Sequence, residues 1–147
     1  MRIYTIGFTK KNAETFFEIL KTNNVKKIID IRLNNISQLA GFAKGKDLEF
    51  FAGAILNINY KHDVRFAPTK DLLEKYKAGI VKWDEYENEF NQILLNRNIE
   101  KIVKEEYLHD IDGLCFLCSE SEANQCHRRL VVEFIENIVP DLNIIHL

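Results

Sequence analysis

Leu114-Cys115-Phe116-Leu117-Cys118-Ser119-Glu120 leads through a polar stretch to Cys126-His127-Arg128-Arg129. An apolar run ends in Cys118 and Glu120, and a new apolar-periodic segment opens at His127. Leu130, Val131, Phe134, Ile135 and Ile138 form one helical stripe. At about 100° per residue, His127 falls near the centre of that stripe, one turn before Val131. The segment therefore reads as strand, loop and helix N-terminus, where open α/β sheets place their ligands.

The same alternation extends upstream. Arg2 to Ile6 reads as a strand stopped by Gly7, and Asn12 caps a helix carrying Phe16, Phe17, Ile19 and Leu20. Lys26 to Arg32 is a second strand, apolar at its centre as a buried parallel strand should be. Leu33 to Lys46 is loop-like, Asp47 to Leu56 a short helix, and Ile58 to His62 a third strand. Pro68-Thr69 starts a helix through Lys77, and Trp83, Tyr86, Phe90, Ile93 and Leu94 mark a longer one. Gly113 to Cys118, His127 to Val139 and Leu142 to His146 complete a strand, a helix and a last short strand. Strands alternating with helices predict a mostly parallel sheet covered on both faces. A (β/α)-barrel needs about 200 residues or more, so a single domain over 1–147, a small Rossmann-like three-layer sandwich, is expected.

The net charge of −2 argues against a strong nonspecific nucleic-acid or membrane footprint, although a local basic patch stays open. No apolar run approaches the length of a membrane span, and the N-terminus is too strand-like for a signal peptide. An odd number of cysteines without an export signal points to free thiols in a reducing cytoplasm. No Walker A loop, G-x-G-x-x-G or G-x-S-x-G occurs, and no cofactor is expected. Cys115 and Cys118 form a C-x-x-C inside a strand, where i and i+3 face opposite sides, so no structural zinc is expected either.

Polar residues fall at the C-terminal strand ends: Thr5 and Gly7, Asp30 and Arg32, Cys118 and Glu120. Residues two apart on a strand share a face, which pairs Asp30 with Arg32 and Cys118 with Glu120. Asp30 and Arg32 read either as a structural ion pair or as site residues. His127 reads either as a hydrogen-bonded core histidine or as a catalytic one. Arg128 and Cys126 flank the buried stripe on opposite sides, and the positive helix end favours an anion there and acidifies Cys126. Arg129 lies on the far face, i to i+4 from Glu133, as a solvated helix charge. The candidate catalytic groups are thus Asp30, Glu120, Cys118 and His127. The candidate anion-binding groups are Arg32, Arg128, Thr5, Gly7 and Cys126.

Taken together, Thr5-Ile6-Gly7, Asp30-Ile31-Arg32, Asn35-Ile36-Ser37 with Gly41-Phe42, Ala67-Pro68-Thr69, Leu117-Cys118-Ser119-Glu120 and Cys126-His127-Arg128 resemble the uncharacterised family catalogued as domain of unknown function number 488. That family's first motif commonly continues from Gly into His, where this chain has Phe8. The resemblance implies a soluble bacterial or archaeal α/β domain and supplies no reaction. The residues themselves favour an enzyme acting on a phosphate-bearing, nucleotide-like or nucleic-acid-derived substrate. A noncatalytic nucleotide or anion sensor and a structural partner-binding domain are the alternatives. The expected partner is an anionic small molecule or nucleotide, with nucleic acid open and no membrane.

Overall fold

The computed structural model describes residues 1–36 and 40–147, so Ser37 of the quoted loop lies outside the described residues. Five strands form one all-parallel sheet: β1 (Arg2–Gly7), β2 (Lys27–Asp30), β3 (Asn59–His62), β4 (Leu114–Cys118) and β5 (Asn143–His146). Their order is β3-β2-β4-β1-β5. This differs in one respect from the dinucleotide-binding order, where the first strand lies beside the second. Here β4 separates β1 from β2.

Helices cover both faces. α1 (Ala13–Thr22) and α2 (Gly45–Phe51), which runs on into a π-helical turn, pack with Tyr4, Ile6, Ile28, Cys115 and Leu117. α3 (Lys70–Lys77), α4 (Trp83–Asn96), α5 (Ile99–Ile102) and α6 (His127–Glu136) lie with Ile3, Ile29, Leu114 and Phe116. Alternation along β4 therefore sends Cys115 to the α1 side and leaves Cys118 in phase with Leu114 and Phe116 on the α6 side. Among the described residues no helix is long and apolar enough to cross a membrane.

Local chemistry sets several boundaries. Asn12 accepts from the Thr15 N–H at 2.8 Å and starts α1, while Thr69 accepts from the Leu72 N–H and starts α3. α5 and its π-helical extension Val103–Tyr107 fall where no element is expected from the sequence. Ile99, Val103 and Tyr107 are buried there at i, i+4 spacing, a stripe diluted by the charged residues between them.

The order of the strands fixes one crevice. β1 and β4 are neighbours, yet β1 leads through α1 toward β2 and β4 leads through α6 toward β5. The two connections leave on opposite faces and in opposite directions. Such a switch point opens a gap beyond the carboxyl ends of its strands, here beyond Gly7 and Cys118.

Beside the crevice a charged network ties the end of β3 to the α5 extension. Asp63 accepts from Arg65 Nε at 2.8 Å, Arg65 Nη2 at 2.7 Å and the Tyr107 hydroxyl at 2.5 Å. Burial pushes the Asp63 carboxyl up, but the bonds from Arg65 and Tyr107 outweigh it and hold it at about 2. Because this lies below the ordinary 3.8, the network contributes stability that is full above pH 3.8 and lost as the pH falls toward 2. That contribution is about 2 kcal/mol. Urea unfolding across this range should show an acid-side loss in the wild type that is reduced in Asp63→Asn.

Candidate functional site

Cys118 ends β4, and α6 begins at His127 after a loop, so the two side chains approach across the crevice. Cys118 Sγ lies 3.5 Å from His127 Nδ1. His127 Nε2 is 2.8 Å from the Ile31 carbonyl at the end of β2. A carbonyl only accepts, so Nε2 carries the proton and the neutral ring offers Nδ1 as a lone pair to the Cys118 thiol. Phe90 of α4 meets the imidazole edge to face at 5.6 Å and fixes its plane. His127 is thus the buried, hydrogen-bonded histidine that its sequence position allowed, and it stands beside Cys118.

Cys126 is the N-cap residue of α6, with extended backbone. Its sulfur lies within 4.8 Å of both Cys118 Sγ and a His127 nitrogen, so the three ligand-type atoms form one cluster. A hydrogen bond from the Cys126 thiol holds the Cys118 thiol below its ordinary value. Burial opposes this, and the Ser119 and Glu120 N–H groups and the Arg128 charge assist it. Cys126 moves up, through the same contact with Cys118 and through burial. The helix field was expected to acidify Cys126; its hydrogen bond to Cys118 and its burial act in the opposite direction. Cys115, on the other face, is pushed up by burial and takes no part.

The remaining expected residues divide into two groups. Asp30 and Arg32 are paired and buried, with Arg32 Nε to Asp30 Oδ1 at 2.9 Å and Nη2 to Oδ2 at 2.6 Å. The Tyr60 hydroxyl donates to Asp30 Oδ2 at 2.6 Å, and the Arg32 N–H donates to Oδ1 at 3.2 Å. Asp30 lines neither cavity at the crevice, and both of its carboxylate oxygens are engaged by Arg32 or Tyr60. Arg32 Nη2 also reaches the Ala43 carbonyl, whereas Nη1 is buried without a hydrogen-bond partner among the described residues. The Arg32 guanidinium lies 5.0 Å from the centre of the Phe8 ring. Phe8, where the resembling family commonly has histidine, supports a cation by its π face.

Arg128 is also buried, and each of its three nitrogens is hydrogen-bonded. Nη1 reaches the Glu120 carbonyl, Nη2 the Ser121 carbonyl at 3.1 Å and Nε the Thr5 hydroxyl at 3.3 Å. Every one of its three nitrogens has a partner, so it holds the loop, and an anion would share it with these acceptors. Thr5 Oγ1 accepts from Arg128 and lies 2.7 Å from His146 Nδ1. Thr5 is fully buried in this network. Gly7 serves as space: a Cβ there would lie 1.6 Å from the Glu120 carbonyl oxygen.

Glu120 is exposed and lines two cavities that meet at Cys118 and His127. One, about 340 Å³, is walled by Tyr76, Trp83 and Tyr86 with Cys126 at its base. The other, about 460 Å³, contains Arg32, Asn34 and Lys77. Sequence reasoning missed the aromatic wall, Tyr60, Lys77 and His62, whose Nε2 donates to the Arg32 carbonyl at 2.7 Å. Tyr60 and His62 share a face by strand alternation, a signal available at a polar strand end. Arg129 pairs with Glu133, as its helical position indicated, and with Glu87, but it is not the solvated charge expected. Its side chain is 25% exposed, its guanidinium lies 5.7 Å from the centre of the Trp83 ring, and its Nε is buried without a partner among the described residues.

The fold and site define a small parallel α/β protein with two thiols and an imidazole gathered at the switch point of its sheet. Residues 12–135 match the model of the family described as Domain of unknown function DUF488, and the chain belongs to that family. No curated protein and no solved structure matches it.

Gly7→Ala should lower the unfolding free energy by about 1–3 kcal/mol in urea titrations, since the loop backbone must move to admit a methyl group. An unchanged midpoint would mean that the loop does not hold its crossing over β1.

Proposed function

We propose that the protein is an enzyme acting on a phosphate-bearing, nucleotide-like or nucleic-acid-derived substrate bound beyond the carboxyl ends of β1, β2 and β4. The observation that carries this reading is Arg32 Nη1, a buried cationic donor without a partner among the described residues, on a residue that lines the cavity shared with Cys118, Glu120 and His127. An orphaned buried N–H costs about 1–3 kcal/mol, more on a charged group, and an anionic oxygen removes that cost. Asp30 and Tyr60 hold the guanidinium plane, so the donor direction is set before the ligand arrives. Lys77 adds a flexible positive charge at the rim of the same cavity. Glu120, carboxylate outward between the two cavities, is the group suited to carry a proton to or from substrate. The aromatic wall of Tyr76 and Trp83 offers a flat apolar surface for a base.

The test is a thermal-shift screen with inorganic phosphate, nucleotides and short oligonucleotides. A hundredfold excess over Kd should stabilise the wild type by about 2.7 kcal/mol. Arg32→Lys keeps a cation beside Asp30 but removes the fork, and should weaken binding at least about tenfold. Lys77→Ala should weaken it by no more than about fivefold, as an exposed charge does. Turnover of a bound ligand, slowed about 100-fold or more in Glu120→Gln, would support the enzyme reading. Binding without turnover of any ligand would replace it by an anion sensor. Absence of any phosphate-dependent shift in the wild type would overturn both.

A further inference from the structure

We propose that Cys118 Sγ, Cys126 Sγ and His127 Nδ1 form a three-ligand Zn(II) centre whose fourth position opens into the cavity walled by Tyr76, Trp83 and Tyr86. The inference deepens the enzyme reading, since it assigns the reactive centre of the same crevice, but it stands on its own geometry. A tetrahedral zinc with Zn–S of about 2.3 Å and Zn–N of about 2.0 Å sets an S···N edge of roughly 3.5 Å. Cys118 Sγ and His127 Nδ1 are 3.5 Å apart. A simple thiol–imidazole hydrogen bond has a similar length, so the third atom decides. Cys126 Sγ completes a set in which all three ligand atoms lie within 4.8 Å of one another, and all three residues are buried. A thiol–imidazole pair needs no second buried thiol; a Cys2His metal site does.

The outer contacts are those of a metal-binding histidine. His127 Nε2 donates to the Ile31 carbonyl at 2.8 Å, which fixes the tautomer that leaves Nδ1 free to bind. Arg128 Nη1 approaches Cys126 Sγ at 3.6 Å, an N–H···S contact that steadies a thiolate. Two thiolates and a neutral imidazole balance the charge of Zn(II), and the soft sulfurs select against magnesium or calcium. The sequence argument against zinc concerned Cys115, which indeed lies on the opposite face of the sheet. It did not anticipate that Cys126 and His127, adjacent at the start of α6, would reach Cys118 together. Three protein ligands and an open position are the pattern of a catalytic zinc site rather than a structural one. The open position is bordered by Glu120 and by the polar residues Asn124 and Gln125, so water or a substrate oxygen would enter there.

The experiment uses the full chain, reduced and stripped of metal by a chelator, titrated with Co(II). One equivalent should produce an intense near-ultraviolet sulfur-to-cobalt band with strong visible bands of four-coordinate cobalt, and Zn(II) should displace both. Cys126→Ser, Cys118→Ser and His127→Gln should each weaken binding at least about 100-fold, while Cys115→Ser leaves it unchanged. Circular dichroism of each metal-free variant establishes that it folds; His127→Gln retains a side chain that can accept from Cys118. Folded wild type without the cobalt–sulfur band would overturn the proposal, as would equal weakening by Cys115→Ser. Phosphate binding, read through Arg32→Lys, is measured separately on the metal-free protein. The two readings can therefore fail independently.

Discussion

The buried guanidinium of Arg128 is the contact on which the crevice rests. It makes no ion pair among the described residues; instead the carbonyls of Glu120 and Ser121 and the hydroxyl of Thr5 receive its donors. A cation taken out of water this far is tolerated only when such acceptors surround it. In return it fixes the loop after β4 over the end of β1, where only a glycine leaves room for the Glu120 carbonyl. With that loop fixed, Cys126 arrives beside Cys118, and Glu120 turns its carboxylate outward. The positive charge stays within the site, where it lowers the Cys118 thiol as one of several contributions and, after burial, lowers His146.

Arg32 shows the contrasting use of the same side chain. Its charge is balanced by Asp30, with Tyr60 closing the second carboxylate oxygen and Asn35 donating to Tyr60 at 3.1 Å. Burial first, then the Asp30 charge and its hydrogen bond, push the Tyr60 hydroxyl well up, so Tyr60 remains a donor throughout the ordinary pH range. Replacing one partner of such a buried pair strands the other. What remains is Nη1, buried and without a partner among the described residues.

His127 joins these two regions. Through Nε2 it binds the end of β2, and through Nδ1 it meets the end of β4, so one ring spans neighbouring strands from a helix that packs over them. This geometry follows from the strand order. Because β4 lies between β1 and β2, the residues that follow β2 and β4 are adjacent, and the start of α6 faces both.

The sequence alone determined the alternation of strands and helices, the parallel sheet and the gathering of polar residues at its C-terminal ends, because burial imposes its period of two or 3.6 on local composition. It also placed His127 correctly toward the sheet, from rotation about the helix axis. It could not decide which donors would be free. Arg32 and Arg128 look alike in sequence, and only the acceptors brought near by distant segments distinguish a guanidinium bonded at every nitrogen from one whose Nη1 has no partner among the described residues. Nor could it separate Cys115 from Cys126 as partners of Cys118. Strand alternation excludes the first, but the approach of the second depends on the loop that Arg128 holds over Gly7, a long-range packing constraint with no local signature. Strand order, likewise, is set by which faces the crossing helices cover, and that is decided only when the whole sheet closes its core.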